Sequence, residues 1–357
     1  MGGTETVTGA GNGSPEVTVL MAVHNGEAHL RPAIDSVFSQ TFTNYEFLII
    51  DDGSTDETPA IIASIDDARI RMIRNETNLG LAASLNKGLA AAKGRYVARM
   101  DADDICQPER LAKQVHFLDA HPETVVLGTE MVLFGRDGEV AYWRPKTDAQ
   151  VKAHLLFAPP FAHPSVMLRK TFLDTHALRY DESLPTAQDY DLWERMLRIS
   201  GAHGANLEEP LLSYRVHDKS ISTAKLKEQR KTANDIRERA LAPIVPNRQQ
   251  SETMLHHKIS TLSFECSREF VANSEQWLKR LVSADKTDTI YTDEGVLFMA
   301  GRHWFELCHH AAPEGPSILA AYYRSPLSKG YRPRLSRQIR FAAKSLLGRF
   351  RNGGNSQ

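Results

Sequence analysis

Tyr96-Val97-Ala98-Arg99-Met100-Asp101-Ala102-Asp103-Asp104-Ile105 is the stretch that decides how the chain can fold. Its first half is a short apolar-leaning run that reads as a buried strand. Its second half sets three carboxylates within four residues, and Pro108 closes the turn soon after. Negative charge massed at the end of a buried strand costs free energy unless a cation or water meets it. A divalent cation carrying an anionic substrate is one answer. A solvated acidic turn is the other.

The same rhythm of strand, polar turn and helix runs through the residues before it. Residues 17–23, Val-Thr-Val-Leu-Met-Ala-Val, form an almost unbroken apolar, β-branched run, expected as a buried strand of a mainly parallel sheet. His24-Asn25-Gly26 turns the chain, and Leu30, Ile34, Val37 and Phe38 recur at helical spacing. Residues 45–50 are a second strand, stopped by Asp51-Asp52-Gly53-Ser54-Thr55-Asp56. A helix follows, with Pro59 in its first turn and Ile61, Ile62 and Ile65 on its inner face. Residues 70–73 are a third strand. The Ala/Leu-rich residues 81–92 form a helix, with Gly94 placed where a C-cap would be. Strands alternating with helices predict an α/β domain, and open α/β sheets bind ligands beyond their C-terminal strand ends. Asp51-Asp52 and Asp101-Asp103 both fall there.

After Pro108 the pattern predicts a helix over 109–120 and a strand over 125–128. Residues 134–162 are less regular, rich in aromatics and prolines, and suit a substrate-facing surface. His163 leads into a further strand, Gln188-Asp189-Tyr190-Asp191-Leu192-Trp193 opens a helix, and residues 211–217 make a last strand.

Character changes near Ser222. Residues 224–241 are highly charged and helix-forming, and helical periodicity returns around 254–271, 275–282 and 296–309. The expected division is a disordered leader over 1–15, an α/β domain over 16–223, a helical appendage over 224–330 and a basic amphipathic tail over 331–357. In the tail Leu335, Ile339, Ala342, Ala343, Leu346, Leu347 and Phe350 line one helical face, and Arg334, Arg337, Arg340, Lys344, Arg349 and Arg351 supply charge. Such a helix either lies on an anionic membrane surface or is an ordinary surface helix with a solvated basic face.

The chain has 357 residues and a net charge of −1, so no global field points to nucleic acid. No apolar run approaches the roughly 20 residues of a spanning helix. Residues 1–15 lack the basic region and apolar core of a signal peptide. Cys106, Cys266 and Cys308 lie far apart without metal-ligand spacing, which fits a reducing compartment. The expected location is cytoplasmic, with the tail as a peripheral contact at the inner face of the membrane.

Taken in order, the motifs at 17–25, 48–55, 96–104 and 188–193, with Asn78-Leu79-Gly80 and Tyr214-Arg215-Val216-His217, resemble the family 2 glycosyltransferases and their GT-A fold. The resemblance covers roughly residues 16–222. It implies inverting transfer of a single sugar from a nucleotide-diphospho-sugar, UDP- or dTDP-linked, to the hydroxyl of a glycan or lipid-linked acceptor. It also implies a hard cation, Mg²⁺ or Mn²⁺, bridging the diphosphate. Asp103 takes the place of the direct metal ligand and Asp101 that of the donor contact. His217 matches a further ligand, with a purely structural histidine as the alternative. Asp52 matches the carboxylate that accepts a hydrogen bond from the nucleotide base, while Asp51 caps its own loop. Ala22, His24, Asn25 and Glu27 would line the nucleotide pocket.

Asp189 matches the general base that takes the acceptor's proton. Aspartate is equally favoured there as a helix N-cap. Asp191 is the competing base, Gln188 stands where the family commonly has Glu, and His163 matches the acceptor-side segment. The Q-x-x-R-W signature of processive synthases does not occur in the sequence. Two other functions remain open at this point. One is a nucleotidyltransferase, which would want a Gly-rich, basic loop that Val23-His24-Asn25-Gly26 does not offer. The other is an inactive nucleotide-sugar-binding module.

Overall fold

The computed structural model describes residues 14–135, 140–216, 226–265, 267–287 and 289–347. His217, Cys266, and Arg349, Phe350 and Arg351 of the tail lie outside the described residues, as does most of the expected leader.

Strands β1 (Val17–Val23), β2 (Tyr45–Asp51), β3 (Ile70–Arg74) and β4 (Tyr96–Met100) pair in parallel in the order β3-β2-β1-β4. Their alternation sorts the side chains onto two covered faces. Val17, Val19, Met21, Phe47 and Ile49 pack under α1 (Leu30–Phe38) and α4 (Arg110–Ala120). Leu20, Leu48, Ile50 and Val97 pack under α3 (Leu81–Ala91) and α7 (Gln188–Leu197). Burial on both faces explains the unbroken apolar runs, and each such side chain contributes roughly 1.5–3 kcal/mol.

Beyond β4 the sheet becomes mixed. Strand β8 (Met167–Arg169) pairs antiparallel with both β4 and β6 (Thr124–Gly135). Strand β9 (His203–Val216) runs parallel to β6, with register shifts near Thr129–Glu130. Short strands β5 (Ile105–Cys106) and β7 (Val140–Tyr142) add to β9 and β6. Two expectations change in this half. The strands expected over 125–128 and 211–217 are much longer. The stretch 134–162, expected to be irregular, contains helix α5 (Asp148–His154), whose N-cap Thr147 accepts from Gln150 N.

Gly94 is not a helix cap. The C-cap of α3 is Ala92, and a Cβ at Gly94 would collide with the β1 backbone at Val17 and Thr18. The glycine lets the chain pass close to β1 on its way into β4. Two shorter helices, α2 (Thr58–Ala63) and α6 (Lys170–Thr175), complete this part.

The C-terminal half is helical, as expected. It comprises α8 (Leu226–Leu241), α9 (Gln250–Thr261), α10 (Arg268–Ser283), α11 (Asp293–His310), α12 (Pro316–Arg324) and α13 (Leu335–Leu347). The single period expected over 254–271 is two helices, because left-handed Leu262 ends the first and Ser267 caps the start of the second. This half shares one core with α5: Ala153, Leu156 and Phe157 pack with Leu278, Trp304 and Phe305. Helix α11 crosses α5 so closely that a Cβ at Gly295 would strike the carbonyl of Ala149. Among the described residues no helix is long and apolar enough to cross a membrane.

Candidate active site

The parallel pairing of β1, β2 and β4 brings three loops to one edge. Val23 sits opposite Asp51, and Met21 opposite Met100. Ala22 is paired with Ile50, one residue before β1 ends. The loops that follow, at His24–Glu27, Asp52–Asp56 and Asp101–Asp104, therefore open side by side at the C-terminal edge.

The first two loops are fastened to each other. His24 Nδ1–H donates to the Asp52 carbonyl at 2.8 Å, which leaves Nε2 as the ring's acceptor. Asn25 holds a left-handed backbone (φ 52°), donates its N–H to Ser54 Oγ (3.0 Å) and accepts from Thr55 N (2.9 Å). Glu27 Oε2 accepts from Glu57 N at 3.0 Å, so its carboxylate is occupied in holding the α2 entry. Asp51 caps its own loop through Ser54 N (3.0 Å) and pairs with Arg74 (3.1 Å). Asp52 is buried. Its Oδ1 accepts from Asn75 Nδ2 (2.9 Å) and Leu79 N (2.8 Å), and its Oδ2 from Gly80 N (2.9 Å). These bonds tie the Asn78-Leu79-Gly80 turn to the site and leave Oδ2 room for one more donor.

The acidic cluster converges. One carboxylate oxygen each from Asp101, Asp103 and Asp104 lies within 4.8 Å of the others. Asp104 Oδ1 accepts from Arg215 N (2.9 Å), and Arg215 Nε donates to the Asp103 carbonyl (2.9 Å). Asp104 Oδ2 is buried without a hydrogen-bond partner among the described residues. Burial first, then the charges of Asp101 and Asp103, push the Asp104 carboxyl up to about 8. Asp101 is raised too, mainly by burial. Crowded, oxygen-only donors with an unsatisfied buried atom fit a hard divalent cation. His217 lies two residues beyond the Arg215 that grips this cluster, but outside the described residues.

Arg99, on β4, is a functional candidate that sequence reasoning passed over. Its side chain is 3% exposed, and its Nη1 is 2.5 Å from Asp101 Oδ2 although the N–H does not aim at that oxygen. Its Nε has no hydrogen-bond partner among the described residues. The signal was available: a guanidinium inside an otherwise apolar strand. The Arg99 charge acts on Asp101, Asp104 and Tyr180, and it also reaches Asp189 and His163.

Asp189 stands in the first turn of α7. The N-cap is Ala187, in the left-handed region at φ 57°, so Asp189 is not the N-cap. Burial raises its carboxyl, opposed by the Tyr190 N–H and by the charges of Arg99 and Arg144. His163 Nε2 pairs with Tyr180 OH at 2.8 Å, and burial followed by Arg99 holds the imidazole neutral, well below its usual range. Asp191 does not join this group. Its oxygens hold Arg195 Nε (2.8 Å) and, from α8, Arg239 Nη2 (2.7 Å). Two residues along a helix is a turn of about 200°, so Asp191 faces α8 when Asp189 faces the site.

Residues 18–175 match the family model described as glycosyl transferase family 2. The putative glycosyltransferase EpsE of Bacillus subtilis is 38% identical over 213 residues, covering 58% of this chain and 75% of EpsE. The chain belongs to glycosyl transferase family 2. This glycosyltransferase is also 28% identical to the succinoglycan biosynthesis protein ExoO of Rhizobium meliloti over 346 residues, 90% of this chain and 97% of ExoO. A solved structure of S. aureus TarS 1-349 in complex with UDP-GlcNAc matches with a TM-score of 0.55 at 15% identity, covering 96% of this chain and 93% of that one. That likeness shows that the glycosyltransferase has the GT-A fold, with the helical C-terminal half included in the match.

Proposed function

We propose that this glycosyltransferase moves a single hexose from a nucleotide-diphospho-sugar, UDP- or dTDP-linked, to an acceptor hydroxyl with inversion. What most supports the reading is one juxtaposition: the pairing of β1, β2 and β4 sets the Asp52 loop and the acidic cluster at one sheet edge, and the buried Arg99 beside that cluster also acts electrostatically on Asp189. The acceptor is a glycan or lipid-linked sugar, presented at the inner face of a membrane.

Asp103, with His217, holds Mg²⁺ or Mn²⁺, and Asp101 contacts the donor. The cation supplies a Lewis acid for the departing diphosphate. Asp52 Oδ2 accepts an N–H from the nucleotide base, and the loop from Ala22 through His24 and Asn25 to Glu27 walls the base and ribose. Asp189 takes the proton of the acceptor hydroxyl as that oxygen bonds to the anomeric carbon. The bond from that carbon to the phosphate oxygen breaks, and the nucleoside diphosphate leaves with the electron pair. His163, neutral beside Tyr180, lies on the acceptor side. A single displacement with one base inverts the anomeric configuration.

A panel of nucleotide sugars tested for thermal stabilisation with Mn²⁺ checks the donor assignment. A ligand that binds only the folded state raises the melting temperature by linkage. A UDP- or dTDP-sugar should do so in the wild type and not in Asp103→Ala. Stabilisation that is equal in Asp103→Ala would remove the assigned metal ligand.

A further inference from the structure

We propose that helix α13 docks this enzyme on an anionic lipid bilayer through an exposed apolar stripe. It deepens the acceptor reading above by naming the surface, and its test is read without catalysis, so either can fail alone.

The helix is held in a fixed orientation. Phe341 is fully buried, edge-on against Phe305 (5.8 Å) and Tyr322 (5.5 Å), and Ser345 is buried one turn later. Arg337 makes a two-pronged pair with Glu306 of α11, at 2.9 and 2.7 Å. Phe341, which the expected apolar face leaves out, turns to the core, and of that face Leu335, Ile339, Ala343, Leu346 and Leu347 are exposed and Ala342 is half-buried.

At 100° per residue, Leu335, Ile339, Ala342 and Leu346 fall within an arc of about 60°, away from Phe341. Leu335, Ile339 and Leu346 are 71%, 61% and 59% exposed. An exposed apolar stripe of this kind calls for a covering surface. The charge around it selects which one. From Gly315 to the end, 43 residues carry nine Arg or Lys and no Asp or Glu, in a chain whose net charge is −1. Arg334, Arg340 and Lys344 are all exposed.

An apolar stripe on a helix whose polar face carries Arg340 and Lys344 and no acid is the composition that lies in the headgroup region of anionic membranes. A second copy of the chain is the poorer occupant. A two-fold contact through this helix would set one acid-free basic surface against another.

The test is flotation of the full-length protein with vesicles of about one-third phosphatidylglycerol in phosphatidylcholine, and with phosphatidylcholine alone. The wild type should float with the anionic vesicles only, and high salt should release it. The double variant Ile339→Asp, Leu346→Asp changes two exposed side chains, so its unfolding curve should match the wild type. Its binding should fall about tenfold or more. Light scattering of both proteins reports the competing occupant. Equal flotation of wild type and variant would overturn the proposal, as would no binding to either vesicle. A wild-type dimer that the variant breaks into monomers would assign the stripe to a second copy. Vesicle binding that appears only after deletion of residues 348–357 would assign the stripe to that segment.

Discussion

Arg99 Nη1 stands 2.5 Å from an Asp101 carboxylate oxygen where β4 opens into the acidic cluster. The pair supplies the counter-charge that three neighbouring carboxylates need, and the Arg99 field extends to Asp189. Arg99→Met removes that charge while keeping a long apolar stem. It should destabilise the cation-free protein by about 1–3 kcal/mol, below the usual cost of breaking a buried pair because Asp101 is partly exposed. Mn²⁺ with a bound donor should restore part of the loss. Urea unfolding with and without both ligands measures it, and unchanged stability in the cation-free variant would deny Arg99 this role.

Asp189 and Asp191 differ by two positions and by function. Asp191 sits in a clamp of Arg195 and Arg239, and Arg239 also holds Glu194 at 2.8 Å. Asp191→Asn should therefore lower stability by about 1–3 kcal/mol, because it removes the buried carboxylate's charged hydrogen bonds, while Arg195 and Arg239 stay partly exposed to water. Turnover of the folded fraction should stay within about threefold of wild type. A hundredfold loss of turnover at unchanged stability would return Asp191 to the catalytic group.

The junction between α5 and the helical half predicts acid sensitivity. His256 Nε2–H donates to the Leu156 carbonyl (2.6 Å), and its Nδ1 accepts the Trp277 indole N–H (3.0 Å), so a second ring proton has nowhere to go. Burial pushes His256 and His154 down to about 3, and His303, stacked on Phe157 at 4.0 Å, well below its usual value. Below about pH 6.5 the unfolded chain takes up protons that these folded histidines refuse. Stability should fall as pH drops from about 6.5 towards 3, by up to about 1.4 kcal/mol per pH unit for each histidine. Urea unfolding at a series of pH values reads the slope, and His154→Gln should reduce it by about one proton. A flat profile between pH 7 and 5 would contradict the burial of neutral imidazoles.

The parts of the fold legible in the sequence were those governed by local pattern. The runs that became β1 and β4 end where the apolar period ends, and the polar loops beyond them fall at the ligand edge because parallel pairing puts them there. Strands β6 and β9 extend beyond their apolar cores because their outer residues, such as Thr129, Glu130 and Asn206, carry polar side chains that only pairing between distant strands can order. Helix α5 was hidden among prolines and aromatics, since its burial depends on α11 arriving from far along the chain. Within the site, the metal and donor candidates came from motif resemblance. The roles of Arg99, Asp191 and Gly94 did not, because each depends on a partner that is remote in sequence or turned around a helix.

The central claim is that Asp189 removes the acceptor's proton in a site where the acidic cluster and Asp52 hold the donor. The most direct measurement is release of nucleoside diphosphate by Asp189→Asn, read beside donor affinity in the presence of Mn²⁺. Affinity should stay within about threefold of wild type, while kcat falls by about 10²–10⁴. A folded Asp189→Asn protein that turns over at the wild-type rate would contradict it.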